Sequence, residues 1–238
     1  MLRSTILPSK EKDNMVNIQR LAHASVLIRG ENKTIYVDPY RPEDLSEEVK
    51  GLYEEPERAD ILLITHEHQD HCDPSAFKNM LKTTTEIIAP KGCSEKIDKK
   101  FHIVEPEDNI KIKDVEIRTT HSYNEKRKRD SGEPFHPKGE GVGYIITIDE
   151  KTIYHPGDTE NVLELRELDE DIDLAFLPID GTYTMDVDEA VDLAKFFQPD
   201  QVVPFHERDK DLEEFKNKIE KKDITKASIL EEGERLEL

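Results

Sequence analysis

Short apolar runs separated by polar turn residues occupy the first two thirds of the chain, and this pattern predicts β-strands. Val16–Ile28 and Thr34–Val37 flank the turn sequence Gly30-Glu31-Asn32-Lys33, which predicts a β-hairpin. Ile61–Thr65 is apolar without alternation, as is typical of a strand buried on both faces. Further strands are expected as hairpins at Ile110–Thr120 and Val142–Tyr154, and singly at Glu86–Ala89.

Helical patterns lie between the strands and become regular toward the C-terminal end. Asp73-Pro74 supplies an N-cap followed by proline at the first helical position, so we predict a helix at Pro74–Leu81. Further helices are predicted in part of Pro42–Tyr53 and at Ser94–Lys100, Glu160–Leu168, Asp186–Phe197 and Asp209–Lys221. Strands at Leu174–Pro178 and Gln201–Phe205 alternate with the last three helices. This combination predicts mixed β-sheets covered by helices, a layered α/β architecture.

Neither a repeat nor a linker divides the chain, so we expect one domain over residues 1–238, with a flexible N-terminus at 1–14. The formal net charge is −20, because 54 acidic residues face 34 lysines and arginines. This excess opposes binding to nucleic acid and to an anionic membrane. The chain has no apolar stretch long enough to span a bilayer and only two cysteines, and we expect no signal peptide, because residues 1–14 are polar. We therefore expect a soluble cytoplasmic protein that acts on a small molecule, and the sequence leaves a homo-oligomer open.

Histidine and aspartate side chains follow four of the predicted strands. Strand-end loops held by a rigid scaffold are where functional groups collect. Imidazole and carboxylate together suit zinc and its first-row neighbours manganese, iron, cobalt and nickel. The candidate ligands that follow the strands are His66, His68, Asp70, His71, His121, Asp158 and His206.

The densest cluster is His66-Glu67-His68-Gln69-Asp70-His71, which directly follows Ile61–Thr65. In an extended segment His66 and His68 point to the same side, so one ion can bind both. Asp70 and His71 follow where the chain turns toward the next helix, which lets them face a second ion. A closed structural zinc site is the alternative, but such sites depend on cysteine and saturate at four ligands.

The ordered pattern His66-x-His68-x-Asp70-His71, His121, Gly157-Asp158-Thr159 and His206 resembles the metallo-β-lactamase superfamily. The resemblance covers roughly residues 16–209, and its details are most similar to the small metal-dependent hydrolases near L-ascorbate-6-phosphate lactonase. It implies a four-layer αββα sandwich of two mixed β-sheets, with metals at one edge between the sheets.

The resemblance also implies the roles of the candidate ligands. His66, His68 and His121 would hold the first metal, Asp70, His71 and His206 the second, and Asp158 would bridge both. A water shared by the metals would lose a proton near neutral pH and attack an ester, lactone or phosphodiester, while Asp70 would orient this nucleophile. The two ions would be divalent transition metals, with zinc the first choice and manganese, iron or nickel as alternatives. The implied function is a binuclear metal-dependent hydrolase, and the alternative is a non-catalytic metal store or sensor.

Weaker signals lie around this pattern. His23 is expected to be a packed core histidine, with support of the ligands from outside or contact with substrate as alternatives. His155 is expected to support the ligands from outside and not to bind a metal itself. The long polar segment 122–140 has no periodic pattern, and loops of that length are usually functional or disordered. It contains Arg127, Arg129 and His136, which would be solvated surface or would bring cations to an anionic substrate.

Overall fold

The computed structural model describes residues 15–238, so the predicted flexible segment 1–14 lies outside the described residues. Short strands dominate, and they are β1 (Asn17–Arg20), β2 (Val26–Arg29), β3 (Thr34–Val37), β4 (Ala59–Leu63), β5 (Leu81–Pro90), β6 (His102–Val104), β7 (Asn109–Ile112), β8 (Val115–Ser122), β9 (Gly141–Ile148), β10 (Lys151–His155), β11 (Leu174–Pro178), β12 (Gln201–Phe205), β13 (Lys226–Ala227) and β14 (Arg235–Glu237). The α-helices are α1 (Glu47–Glu54), α2 (Pro74–Phe77), α3 (Leu163–Arg166), α4 (Val187–Phe197) and α5 (Leu212–Lys221), and a 3₁₀ helix lies at Lys91–Glu95.

The strands form two seven-stranded sheets, ordered β14-β1-β2-β3-β4-β5-β6 and β13-β12-β11-β10-β9-β8-β7. In the first sheet the pairs from β14 to β3 are antiparallel and those from β3 to β6 are parallel. In the second sheet the pairs from β13 to β10 are parallel and those from β10 to β7 are antiparallel. The carboxyl ends of β3 and β4 therefore share one edge of the first sheet, and those of β10, β11 and β12 share one edge of the second.

One apolar core fills the space between the sheets, with Ile28 and Leu63 from the first sheet against Ile146, Phe176 and Val203 from the second. A second core packs α4 and α5 onto the outer face of the second sheet, and a third packs α1 and α2 onto the outer face of the first. The layers are therefore helix, sheet, sheet and helix. This confirms the predicted αββα sandwich.

Several predicted elements differ in extent from the observed ones. Val16–Ile28 is two strands, because the chain turns at 21–25, where Ser25 N–H donates to the Ala22 carbonyl at 2.7 Å. The predicted helix at Ser94–Lys100 is wrong, and the chain instead forms the 3₁₀ helix before it. In that segment only Ile97 is buried, and so short a helix needs a buried apolar face to be stable. The helices predicted at Pro74–Leu81 and Glu160–Leu168 are each a single turn.

Among the described residues, no helix is long enough and apolar enough to cross a bilayer.

Tyr144 links the two sheets next to the His66 cluster. It lies on β9, is fully buried, and donates its hydroxyl to the Ile64 carbonyl at 2.7 Å, with the Ile88 carbonyl 3.2 Å away. Ile64 follows β4 of the opposite sheet and stands two residues before His66. Burial raises the pKa of Tyr144 well above its ordinary value, so the hydroxyl stays protonated and remains a donor. The bond therefore ties the strand end that carries the cluster to the second sheet.

Replacing Tyr144 by phenylalanine should lower the free energy of unfolding by about 1–3 kcal/mol, because the Ile64 carbonyl loses a buried partner. Tyr154→Phe is the matched control, since the hydroxyl of buried Tyr154 has only Thr120 Oγ1 at 3.4 Å. The control should lose less than about 1 kcal/mol, as expected for a weak hydrogen bond. Urea unfolding of both variants measures the difference, and equal losses would contradict the role assigned to the Tyr144 hydroxyl.

Candidate metal centre

Imidazole and carboxylate groups from several strand ends meet at one edge of the sandwich. The cluster from His66 to His71 follows β4, Asp158 follows β10, and His206 follows β12. His23 enters from the turn after β1, and His136 enters from the loop between β8 and β9. The parallel pairing within each sheet brings these strand ends together.

The first group consists of His66, His68 and His136, and one ring nitrogen of each lies within 4.8 Å of those of the other two. His66 Nε2 is 3.1 Å from His68 Nδ1, and the His136 ring lies 4.9 Å from both other rings. His66 and His136 are buried, whereas His68 is partly exposed. Three convergent imidazoles are a common ligand set for zinc and related ions.

The second group consists of His23, Asp70, His71 and His206, whose ligating atoms also lie within 4.8 Å of one another. His23 Nε2 is 3.4 Å from Asp70 Oδ2, and the His23 ring lies 4.0 Å from the His206 ring. His71 and His206 are buried, whereas His23 and Asp70 are partly exposed. This group therefore has a buried side and a side that faces solvent.

Asp158 stands between the two groups. One carboxylate oxygen, Oδ2, is 3.3 Å from His136 Nε2 and 3.2 Å from His206 Nε2. The other oxygen, Oδ1, is 3.3 Å from His71 Nε2. Asp158 is only 3% exposed. A single buried carboxylate therefore contacts imidazoles of both groups.

Outer hydrogen-bond partners orient the imidazoles that follow β4. Asp38, which follows β3, accepts from His71 Nδ1 at 2.7 Å and from the Thr65 hydroxyl at 2.5 Å. Because the Thr65 hydroxyl donates to Asp38, its oxygen is left to accept from His66 Nδ1 at 3.0 Å. Both imidazoles thereby keep a proton on Nδ1, so that each in its neutral form presents the Nε2 lone pair to the centre.

The other two buried imidazoles also have outer partners. Asp180, which follows β11, places Oδ2 2.9 Å from His206 Nδ1, an ion-pair contact that lacks the geometry of a hydrogen bond. The Asn124 amide oxygen accepts from both the backbone N–H and Nδ1 of His136, each at 2.8 Å. Such partners fix the ring orientation and raise the basicity of a ligating imidazole.

The electrostatics of the protein alone favour positive charge around Asp158. Burial disfavours the charged form of His206, but Asp158 and Asp180 outweigh it and raise the pKa of His206 to about 10. Burial likewise opposes the charged form of His71, and the carboxylates of Asp158 and Asp38 raise its pKa well above the ordinary value. The pKa of Asp158 is held well below its ordinary value, because His206 and His71 outweigh the effect of burial.

These side chains fit a pair of cations. His71 Nε2, His206 Nε2 and Asp158 Oδ1 are buried, and none of them has a hydrogen-bond partner within the part of the chain that the structure describes. Buried polar atoms are nearly always satisfied, so converging unpaired nitrogen and oxygen atoms indicate a missing ligand. Neutral imidazole and carboxylate are donors that divalent transition metals accept.

His121 belongs to no group of converging ligating atoms among the described residues. It belongs to β8, where its neighbour Ser122 donates to the Asp158 carbonyl at 3.0 Å. Successive side chains of a strand point to opposite faces, so His121 points away from the side on which Ser122 meets Asp158. Its ring instead lies 6.2 Å from the Tyr123 ring. His136 occupies the place beside His66 and His68.

The loop that supplies His136 is held down at its start by Glu160, a buried carboxylate. Glu160 accepts hydrogen bonds from the backbone N–H groups of Glu125, Lys126 and Arg127 at 2.7–3.1 Å. The Arg127 side chain is also paired, with Glu160 at 3.3 Å and Glu189 at 2.6 Å. Arg127 therefore fastens the loop and does not face the centre.

His155 also stays away from the metal-binding groups. Its Nε2 lies 2.9 Å from the Ala24 carbonyl, and its ring packs 5.0 Å from Phe205. It is a packed, hydrogen-bonded core histidine, whereas the sequence predicted a residue that supports the ligands from outside.

A cavity of about 640 Å³ opens directly onto the centre. His68, Asp70, Asp158 and His206 form its floor, and His23 also faces it. The remaining wall residues are Tyr40, Gln69, Arg129, Phe135, His136, Tyr183 and Arg208. A volume of this size accommodates a small molecule.

The sequence analysis assigned no role in the site to Asp38, Thr65, Asn124 or Asp180, although they contact the imidazoles. Asp38 and Asp180 follow strands, which is a usable signal, but single acidic residues are common in this chain. Asn124 lies in the loop without a periodic pattern, and nothing in the sequence marks it as a partner of His136.

Comparison with known proteins agrees with this architecture. The family described as "Beta-lactamase superfamily domain" matches residues 17–206. A UPF0173 metal-dependent hydrolase of Thermococcus kodakarensis is 33% identical, over 94% of this chain and 100% of that protein. A relative of the same name from Pyrococcus abyssi is 32% identical, again over 94% of this chain and 100% of that protein.

Solved structures extend the similarity to the fold. A metallo hydrolase from the archaeon Ignicoccus hospitalis superposes with a TM-score of 0.78 at 26% identity, covering 94% of this chain and 98% of that one. A protein from Parabacteroides distasonis superposes with a TM-score of 0.80 at 33% identity, covering 91% of this chain and 94% of that one. The chain therefore belongs to the metallo-β-lactamase superfamily.

Proposed function

We propose that the chain is a metal-dependent hydrolase with two divalent ions at the candidate metal centre. His66, His68 and His136 would hold the first ion, and Asp70, His71 and His206 the second. Asp158 would contact both ions. This assignment replaces His121, the residue expected from the family resemblance, by His136, which the structure places 4.9 Å from the rings of His66 and His68. His23 stays a candidate substrate contact because it lines the cavity.

The position of Asp158 carries this proposal. It is a buried carboxylate that approaches the Nε2 atoms of three imidazoles from two groups at 3.2–3.3 Å. A bridging carboxylate of this kind is what a two-metal site needs to hold its ions near one another. Zinc suits the donor set best, and manganese, iron or nickel fit the same ligands.

The chain's own residues would prepare an ester, lactone or phosphodiester for hydrolysis. When bound, the ions would supply a water molecule acidified toward neutral pH and positive charge for the developing oxyanion. Asp70 lies at the cavity wall, and His23 and His71 hold its pKa below the ordinary value despite the opposing effect of burial. Its carboxylate therefore stays ionised at neutral pH and would accept a hydrogen bond from the attacking water, which would orient that water.

The open cavity favours an enzyme over the alternative of a metal store or sensor. Storage and structural sites are closed by protein ligands, whereas catalytic sites keep a position open to substrate. Here His68, Asp70 and His206 face a cavity of about 640 Å³. The likeness to an ascorbate-phosphate lactonase, the cytoplasmic location and a homo-oligomer stay predictions.

Exchanging His136 for alanine should remove about one equivalent of metal per chain, because the first ion would keep only two imidazoles. Chelator-sensitive hydrolysis of p-nitrophenyl esters or bis-p-nitrophenyl phosphate should fall at least about 100-fold, as expected when a catalytic ion is lost. His121→Ala is the matched control and should keep both its metal and its activity. Elemental analysis and rate assays measure the two effects. Metal loss in the His121 variant but not in the His136 variant would overturn the assignment.

Asp180→Asn tests the outer partner of His206. Asparagine keeps the oxygen that accepts from the backbone N–H of Tyr183 at 2.7 Å, but it turns an NH₂ group toward His206 Nδ1. That donor favours the tautomer with the proton on Nε2, the atom needed for the metal. We expect metal affinity to fall about 10–100-fold.

Competition with a chelating dye measures the affinity of this variant. Asp209→Asn is its control, since Asp209 is 87% exposed and stands three residues after His206. Unchanged affinity in Asp180→Asn, at native circular dichroism, would remove Asp180 from the support of the metal centre.

A further inference from the structure

Two arginines and two aromatic rings form a continuous wall on one side of the cavity. The Phe135 and Tyr183 rings meet edge to face, with centroids 4.7 Å apart. The Arg129 guanidinium lies 5.2 Å from the centre of the Phe135 ring, and the Arg208 guanidinium lies 5.0 Å from that of the Tyr183 ring. All four side chains line the same cavity as the candidate ligands. We call them the arginine–aromatic wall.

Short connections attach this wall to the metal centre. Phe135 directly precedes His136, and Arg208 is two residues after His206. The Tyr183 carbonyl accepts from Asn124 Nδ2 at 2.8 Å, and the same amide group holds His136 through its oxygen. The Asn124 amide group therefore contacts both the wall and a proposed metal ligand.

Neither guanidinium of the wall has a carboxylate within 4.0 Å in the described range 15–238. Arg129 donates to the Phe135 carbonyl at 3.2 Å and lies 3.5 Å from His68 Nε2. Arg208 lies over the Tyr183 ring and makes no hydrogen bond or ion pair with another described residue. Neighbouring arginines outside the wall do form ion pairs. Arg127 pairs with Glu189 at 2.6 Å, and Arg20 pairs with Glu207 at 2.6 Å.

The charge of the cavity differs from that of the whole chain. The formal net charge of the chain is −20, yet the acidic residues that line the cavity are Asp70 and Asp158, which we assign to the ions. With their negative charge directed to the metals, the two free guanidiniums give the wall a positive potential. Guanidinium binds carboxylate and phosphate through paired N–H donors, and a ring beneath it limits its motion.

We propose that the arginine–aromatic wall binds an anionic group of the substrate that is separate from the bond to be cleaved. The preferred substrate is then a small ester or lactone that carries a second group, a carboxylate or a phosphate, on an apolar or ring-shaped portion. The rings of Phe135 and Tyr183 contact this apolar portion, while Arg129 or Arg208 binds the charge. This inference rests on the proposed function, because it places the scissile bond at the ions.

A pair of esters tests the charge preference in the metal-loaded protein. Mono-p-nitrophenyl adipate and p-nitrophenyl hexanoate have acyl chains of equal length, and only the first ends in a carboxylate. The wild-type protein should favour the adipate ester in kcat/KM. At least one of Arg129→Gln and Arg208→Gln should reduce this adipate-to-hexanoate ratio about fivefold to tenfold, mainly through KM, as expected for a partly exposed charged hydrogen bond.

Arg166→Gln is the matched control. Arg166 also lies over a ring, 5.1 Å from the centre of Phe196, but it stands on α3 and does not line the cavity. The adipate-to-hexanoate ratio of Arg166→Gln should equal that of the wild type. A ratio near one in the wild type, or a ratio that neither Arg129→Gln nor Arg208→Gln changes, would overturn the inference while leaving the hydrolase proposal intact.

Calorimetry separates a failure of this inference from a failure of the proposed function. If neither ester is hydrolysed in a chelator-sensitive way, the proposed function fails, and binding of unreactive anions still tests the wall. Phenylphosphonate and phenylacetate distinguish a preference for phosphate from one for carboxylate. At least one of them should bind about fivefold more weakly to Arg129→Gln or Arg208→Gln than to Arg166→Gln, as expected when a charged donor is lost. Equal affinities for both anions in all three variants would overturn the inference.

Discussion

The buried carboxylate of Asp158 is the group on which the arrangement of this edge of the protein depends. It has imidazole nitrogens at 3.2–3.3 Å on both of its oxygens, from residues that follow different strands of two sheets. A carboxylate in such a position needs positive charge nearby, since burial alone would force it to take up a proton. In the protein alone the pKa values of His71 and His206 are raised, which favours the positively charged forms of both imidazoles. Two divalent ions would supply it more strongly and would release those protons.

The fold makes this concentration of polar groups possible by keeping it at the strand ends. The interior between the sheets is apolar, with Ile146, Phe176 and Leu63 buried within it. The outer partners Asp38 and Asp180 each follow a parallel strand next to the strand that carries their imidazole. Sheet pairing thus positions ligand and partner together, with no need for a long side chain to reach across the site.

Much of this could be predicted from the sequence, because the signals were local. Apolar runs with turn residues between them gave most of the strands, and the segment from His66 to His71 concentrates its donors within six residues. Whether His121 or His136 joins His66 and His68 could not be predicted from such local signals. It depends on which face of β8 meets Asp158 and on how the loop after β8 folds back through Asn124. Both are tertiary facts, and a polar loop without periodicity carries no sequence signal for them.

The hydrogen bonds that Glu160 accepts divide the loop after β8 into a part whose backbone is fixed and a part whose sequence can vary. The backbone up to Arg127 is fastened by this one carboxylate, and the chain is fixed again at His136 by Asn124. Between these points the segment 128–134 forms a small exposed tip, closed by a bridge between Lys128 and Pro134. Exposed tips tolerate substitution and insertion best. Evolution could therefore rework the tip, including Arg129, and give related proteins different substrates while every ligand stays in place.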